Sequence, residues 1–423
     1  MTISLIVATI FMTCCSLCLG DKDPEIIIDP VETQGEMKLT RSELELVNHS
    51  NDFAFNLFRQ ITDRQRSSQD NKSIIVSPIS ITYALGMLNN GAANNTQSQI
   101  NDVLGFGSFG ADSINAFCKK MLYEAPNLDS LTKLMIANTI YVNKGYNLKA
   151  DFVNKARIFY KAEPETRDFH DGQTMNVINK WASDHTERMI QKVLDEQSFD
   201  PSAVSYLLNA IYFKGIWSKK FDKSKTKNES FHNAGPSGEL TQRPMMHQKA
   251  EFIYSETDDY QALGMPYGNG SYQMTVLLPK QKNGANINAL PEIPDAERWQ
   301  QINSNMRSVT VDVKLPRFET STDIDLKEIM AKLGMPDAFD GGRADFSNFC
   351  DKPTYIGLMK QVAKIKLDEE GSEAAAVTVI GMKVTSAAPP AKEIVFHANH
   401  PFLYIISEKN SGAIFFMGQY TGY

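Results

Sequence analysis

Apolar side chains recur at helical spacing along residues 44–61, where Leu46, Val47, Phe53, Phe55, Leu57 and Phe58 fall on one broad face, predicting an N-terminal helix. The same spacing predicts helices over 80–88 and 94–104, and an amphipathic helix over 174–189. Residues 134–142 and 206–213 are continuous apolar runs, the pattern of strands in the middle of a sheet whose two faces are both covered. Further strand signals follow at 273–278, 308–315, 402–407 and 413–419. Helices early and strands late predict an α+β fold with large sheets. No internal repeat and no Pro/Gly/Ser-rich linker divides the chain, so the pattern predicts one large domain.

One stretch fits neither period well. In the segment from Asp368 to Met382, every second residue (Ser372, Ala374, Ala376, Thr378, Ile380, Met382) is small or apolar, while Glu373 points the other way. That is the pattern of a strand with one buried face. Yet Asp368, Glu369, Glu370 and Gly371 precede it and Ser386 to Pro390 follow, flanks that read as exposed and mobile. A segment patterned for burial but flanked as surface can change state, and insertion of a loop into a sheet is one way a fold releases stored strain. The competing reading is an Ala-rich helix end, since 369–376 holds good helix formers.

Other motifs decide between them. Asn209-Ala210-Ile211-Tyr212-Phe213-Lys214-Gly215-Ile216-Trp217 and Ser77-Pro78-Ile79-Ser80 are accompanied, in order, by Met87-Leu88-Asn89-Asn90-Gly91-Ala92, Met265-Pro266-Tyr267, Leu277-Leu278-Pro279, Leu315-Pro316-Arg317-Phe318, Leu333-Gly334-Met335, Ala344-Asp345-Phe346-Ser347 and Phe396-His397-Ala398-Asn399-His400-Pro401-Phe402. Over residues 44–419 the chain resembles the serpin family of serine protease inhibitors, and its Asn89-Asn90-Gly91-Ala92 stretch leans toward bacterial members, with insect or tick members close behind. The resemblance implies the serpin fold: a single large α+β domain over 44–423, three β-sheets, about eight or nine helices, and an exposed reactive-centre loop at about 369–392.

By the same resemblance the protein is a suicide substrate and not an enzyme. A serine endopeptidase cleaves the loop and is held as an acyl-enzyme when the freed loop enters the main sheet. At ~3.3 Å per residue, insertion of about 14 residues carries the protease roughly 45 Å, and its distorted oxyanion hole stalls deacylation. The hinge is Glu369, Glu370, Gly371, Ser372, Glu373, Ala374, Ala375 and Ala376, whose small buried row suits rapid entry. Family spacing from Gly371 puts the reactive bond at Thr385-Ser386. Val384 suits an elastase-like pocket better than Thr385 does, and Lys383 suits a trypsin-like pocket with a carboxylate, so 383–386 is the bait window. Cysteine endopeptidases also fit, because the loop supplies only an acyl group. Ser77, Ser80 and Asn209 are implied to form the hydrogen-bonded shutter beneath the sheet, Trp217 the breach where the loop enters, and Arg317 a partner for Glu369. Gln361 stands where the family often has histidine, and an amide can donate and accept as well. The alternative on the same fold is a non-inhibitory carrier or chaperone-like binding protein.

Composition narrows the partners. The 423 residues carry a formal charge of −7, which argues against a general nucleic-acid binder. The densest basic stretch, 214–227 with Lys219, Lys220, Lys223, Lys225 and Lys227, reads as a solvated loop that a polyanion could occupy. Residues 1–20 hold no charged side chain and begin with about 10 apolar residues, half of the ~20 that span a bilayer, so they read as a targeting segment. Cleavage after Gly20 leads to secretion, and acylation at Cys14, Cys15 or Cys18 to a lipid-anchored protein at the cell surface. Residues 21–43 read as a flexible tail. Only Cys118 and Cys350 lie beyond the targeting segment, so the expectation is two unpaired buried thiols, with a single bridge left open. Sequons at Asn48, Asn71, Asn94, Asn228 and Asn269 matter only on a eukaryotic secretory route.

Candidate enzyme motifs lack their context. Gly105-Phe106-Gly107-Ser108-Phe109-Gly110 has the letters of a dinucleotide fingerprint but follows a helical pattern and not a strand. The seven histidines show no metal-ligand spacing, and no serine sits in a nucleophile elbow. No cofactor or metal is implied, and the protein is expected to act as a monomer.

Overall fold

The computed structural model describes residues 35–281, 286–372 and 394–423. Residues 1–20 with their targeting reading, the hinge residues Glu373, Ala374, Ala375 and Ala376, and the bait residues Lys383, Val384, Thr385 and Ser386 lie outside the described residues. The described residues all fall within one compact unit.

Helix α1 (Arg41–Ser68) starts on a capping box in which Thr40 Oγ1 accepts from Glu43 N and the Glu43 carboxylate accepts from Thr40 N. Residues 35–43, read as tail from the sequence, therefore belong to the fold, and Met37 is buried against it. Helix α2 (Pro78–Asn89) has Pro at its first position and all twelve residues buried, as a helix apolar on every side must be. Helix α3 (Asn94–Leu104) ends at Gly105, whose φ of 70° suits glycine, and the glycine-rich hexapeptide is the link to α4 (Ala111–Glu124). Then come α5 (Ala150–Tyr160) and α6 (Thr174–His185). Helix α6 stops before 189 because Glu187 and Arg188 take positive φ. Helices α7 (Ala296–Ser304) and α8 (Lys327–Leu333) complete the eight among the described residues.

The strands are β1 (Ile74–Val76), β2 (Thr132–Asn143), β3 (Glu165–Arg167), β4 (Ser205–Ile216), β5 (Lys227–His232), β6 (Leu240–Glu256), β7 (Tyr260–Tyr267), β8 (Tyr272–Pro279), β9 (Arg307–Pro316), β10 (Phe318–Asp325), β11 (Leu358–Leu367), β12 (Gly371–Ser372), β13 (Ile394–His397), β14 (Phe402–Glu408) and β15 (Ile414–Tyr420). One sheet has the order β10-β11-β4-β2-β3, with β12 also on β4. The other has the order β1-β15-β14-β8-β7-β6-β9-β13, with β5 on β6. Among the described residues, hydrogen bonding joins the strands of the serpin-type α+β domain into two continuous sheets, where the resemblance implies three. The reason is β6, whose 17 residues pair in succession with β5, β9 and β7 and join two ladders into one.

Most core side chains form one cluster around α1, α2 and the larger sheet. A second, smaller cluster lies under α6, where Ile178, Ala182, Ile190, Val193 and Leu194 cover Tyr206, Leu208, Leu358 and Val362 of β4 and β11. The middle of the six-stranded sheet therefore has a core of its own on one face. Cys118 and Cys350 are both buried and unpaired, as expected from their isolation in the sequence.

Candidate functional site

Strands β4 and β11 run parallel, paired from Leu358↔Tyr206 to Lys364↔Tyr212, inside a sheet whose other long pairings are antiparallel. Evenly slanted parallel bonds hold slightly less per residue than antiparallel ones. Two lysines of β11 reach away from this seam: Lys360 Nζ meets Asp323 at 3.0 Å and Lys364 Nζ meets Glu319 at 2.8 Å, both on β10. On its other side β4 is fastened to β2 by an eleven-pair antiparallel ladder, Thr132↔Gly215 to Val142↔Ser205. The seam is thus a boundary between two firmly tied pairs of strands.

Across it lies a buried polar cluster. Gln361 of β11 stands opposite Asn209 of β4, which stands opposite Asn138 of β2. Gln361 Nε2 donates to Asn209 Oδ1 at 2.6 Å, to Ser80 Oγ at 3.0 Å and to the Ser77 carbonyl at 3.0 Å, while its Oε1 accepts from Ser77 N at 2.9 Å. Ser80 Oγ donates to Asn209 Oδ1 at 2.9 Å, and Asn209 Nδ2 donates to Asn138 Oδ1 at 2.7 Å. The structure brings Ser80 and Asn209 together as the sequence implies. Ser77 takes part through its backbone, its own hydroxyl having no partner. Asn138 and Gln361 complete the cluster. A lone asparagine within the apolar run 134–142 was the signal for the first, since a buried amide in a central strand needs a partner.

At the top of the seam the chain leaves β11, makes a two-residue turn at Glu369-Glu370, and returns. Asp368 and Gly371 exchange backbone hydrogen bonds across the turn, at 2.8 and 3.2 Å. Gly371 and Ser372 then pair antiparallel with Ile216 and Gly215 of β4, beyond the last β4–β11 pair. Gly371 has φ of 143°, and a Cβ there would sit 2.1 Å from the Gly215 carbonyl oxygen, so only glycine fits. Glu369 is 2% exposed and Ser372 is fully buried, which corrects the expectation that 369–372 is exposed loop. The burial is explained by Trp217. Its indole stacks on Tyr267 at 4.3 Å, its Nε1 donates to the Asp368 carbonyl at 3.0 Å, and its backbone N–H donates to the Glu370 carbonyl at 2.8 Å. Tyr267 and Ser372 share a hydroxyl hydrogen bond of 2.9 Å, and burial keeps the Tyr267 phenol protonated by raising its pKa far above the ordinary value.

Both turn carboxylates are held. Glu369 accepts from Thr226 Oγ1 at 2.7 Å and lies 3.6 Å from Arg317 Nη1, the pairing the sequence implies. Arg317 is half exposed, so this attraction is worth on the order of 1 kcal/mol at most. Glu370 is bound by Lys220 at 2.7 Å and Lys223 at 3.1 Å, and the Lys220 hydrogen bond above all lowers its pKa. Part of the basic stretch 214–227 is therefore spent on this turn. Tyr267, Thr226, Lys220 and Lys223 were not among the site residues read from sequence, because nothing in their local pattern says that the turn lands on them. No group of His, Cys, Asp or Glu among the described residues is arranged to hold a metal ion.

Residues 48–422 match the family model described as Serpin (serine protease inhibitor). The chain is 34% identical over 392 residues to human Serpin B3, covering 87% of this chain and 97% of that protein. Among solved structures, the native state of the thermophilic serpin Tengpin aligns with a TM-score of 0.80 at 26% identity, over 93% of this chain and 97% of that one. Human thyroxine-binding globulin complexed with thyroxine aligns with a TM-score of 0.78 at 25% identity, over 89% and 98% of the two chains.

Proposed function

The chain belongs to the serpin family, and from that premise we propose that it is a suicide-substrate inhibitor of serine endopeptidases, cysteine endopeptidases being a second target class. The observation that carries this reading is β12. Gly371–Ser372 begins an antiparallel strand on β4 above the point where β4 and β11 part, and its direction leads down the seam. A strand continued there would replace one parallel ladder with two antiparallel ones. The sequence that follows, Glu373-Ala374-Ala375-Ala376, offers small side chains to the face that Ser372 already buries.

In the proposed reaction the protease nucleophile attacks the carbonyl carbon of the bait residue, the amine of the next residue leaves, and an ester to the protease forms. Hydrolysis of that ester needs the oxyanion hole, so mechanical distortion of the protease by the inserting loop preserves the ester. We place the bait within 383–386, with Lys383 for trypsin-like and Val384 or Thr385 for elastase-like enzymes. Secretion or lipid anchoring through residues 1–20 is part of the same proposal.

The experiment mixes the protein with trypsin and with an elastase at equal molar amounts. The expected outcome is an SDS-stable band at the summed mass and a released C-terminal peptide that begins at Val384, Thr385 or Ser386. Clean cleavage of the loop with no covalent band sinks the inhibitor reading for those enzymes. The carrier reading has one observation behind it, a cavity of about 450 Å³ bordered by Asn51, Trp299 and Met306 on a fold shared with thyroxine-binding globulin. Saturable quenching of indole fluorescence by an apolar ligand, lost in Trp299→Phe, is the outcome that favours it.

A further inference from the structure

Strand β13 receives the chain from segment 373–393 and is one of the two short strands that end its sheet. It is four residues long, lies at the sheet edge, and among the described residues pairs with β9 alone, in parallel, from Ile394↔Val311 to His397↔Lys314. Besides that ladder it is held by buried Phe396, by Ala398 N donating to the Lys314 carbonyl at 2.9 Å, and by Gln261 Nε2 donating to the Val395 carbonyl at 3.0 Å. Few bonds per strand mean a low free energy of local opening.

At its end stands His397, with Nε2 buried and without a hydrogen-bond partner. That nitrogen lies 3.9 Å from Asp312 Oδ1, an oxygen already bound by His247 Nε2 at 2.7 Å. The charged and titratable groups facing it come from three strands. Asp312 and Lys314 belong to β9; His247 belongs to β6, as does Lys249, opposite Asp312 in the register; Glu229 belongs to β5, with both carboxylate oxygens 2.8 Å from Lys314 Nζ. A proton added to His397 would place a cation beside Lys314, with the nearest carboxylates already engaged.

We propose that His397 is a proton-operated latch on β13: uncharged it lets the strand seat on β9, and charged it drives the strand, and with it the C-terminal anchor of the segment 373–393, off the sheet edge. Burial first, and then Lys314, lower the pKa of His397 from its ordinary 6.5, against the opposite pull of Asp312 and Glu229, while His247 lowers it further. Seated, the histidine therefore binds fewer protons than released. Seating is at full strength above the free value of 6.5 and weakens as the pH falls through the window beneath it. The latch is a property of the sheet. Only its consequence, loss of trapping in acid, rests on the inhibitor reading.

Hydrogen exchange of the full chain, corrected for intrinsic rates, tests it between about pH 7.5 and about pH 5. The opening constant of the amides of 394–398 is expected to rise below pH 6.5, by at most about tenfold per unit for one proton, while 402–408 in β14 stays protected. In His397→Gln the rise disappears. Should that variant fold poorly, Asp312→Asn removes a carboxylate that favours the proton, so the rise starts at the same pH and continues to lower pH before it levels. Protection of 394–398 that does not change with pH in the wild type, or the same rise in His397→Gln, overturns the latch. If exchange follows His397 but no protease is trapped at any pH, the latch stands and the inhibitor reading falls.

Discussion

Single side chains decide how tightly the β4–β11 seam is closed. Gln361 makes four hydrogen bonds within the buried cluster, yet they are not of equal weight. The Ser77 carbonyl also accepts from Ile81 N, and Asn209 Oδ1 from the Ser80 hydroxyl, so both stay satisfied without Gln361. Ser77 N has no such second partner among these contacts. Gln361→Met, which keeps the volume, is therefore expected to cost about 1–3 kcal/mol, the price of one buried unsatisfied donor, read as a lower urea midpoint. Because the cluster spans the seam, the same substitution should shorten the half-life of trapping activity at rest. An unchanged midpoint would show that the amide contributes nothing net. Ser80, Asn209 and the Arg317–Glu369 pair were legible in the sequence through family motifs. The part played by Ser77 was legible only in outline, since no sequence pattern distinguishes a backbone N–H from a hydroxyl as the group engaged.

At the scale of elements, the turn at 368–371 converts the end of β11 into the start of a new strand. Two features impose this: a glycine at φ 143° that no side chain could replace, and Trp217, which supplies donors to two carbonyls of the turn, those of Asp368 and Glu370. Ser372 then points into a fully buried site against Tyr267. A charged side chain there must be desolvated without a partner, which costs several kcal/mol. Ser372→Arg is expected to leave cleavage of the loop intact while covalent complex falls by at least about tenfold, as band intensities against cleaved product would report. Equal trapping by this variant would mean that the buried site at Gly215 is not on the path of insertion. The alternation of small residues from 372 onward was visible in the sequence. That 369–372 is already buried was not, because acidic residues before a glycine look like surface until their lysine, arginine and threonine partners are known.

At the scale of the whole molecule, two tied pairs, β10–β11 and β4–β2, meet at one parallel ladder, and the small core under α6 bridges them on one face. Opening the seam must disturb that core, while filling the seam adds a ladder on each side of the new strand. At ~1 kcal/mol net per hydrogen bond, the new ladders roughly offset the ~1–2 kcal/mol per residue of backbone entropy, so the gain comes from side chains buried on the two faces of the new strand. Cleavage of the loop within 383–386 is therefore expected to raise the midpoint of thermal unfolding by about 10 °C or more, measured calorimetrically before and after limited proteolysis. No rise would mean that the severed loop stays outside the sheet and that the carrier reading gains.

The sequence by itself determined the class of fold, the bounds of α3, the central position of β2 and β4, and the small-residue row that begins at Ser372. These follow from periodicity, burial and covalent spacing, which act between near neighbours. Only the tertiary structure decided that β11 is parallel to β4, that Glu370 is held by Lys220 and Lys223, that β6 fuses two sheets, and that His397 shares Asp312 with His247. Each of those joins residues tens to hundreds of positions apart. Their pairing is set by the packing of whole strands, a quantity that no local pattern of side chains contains.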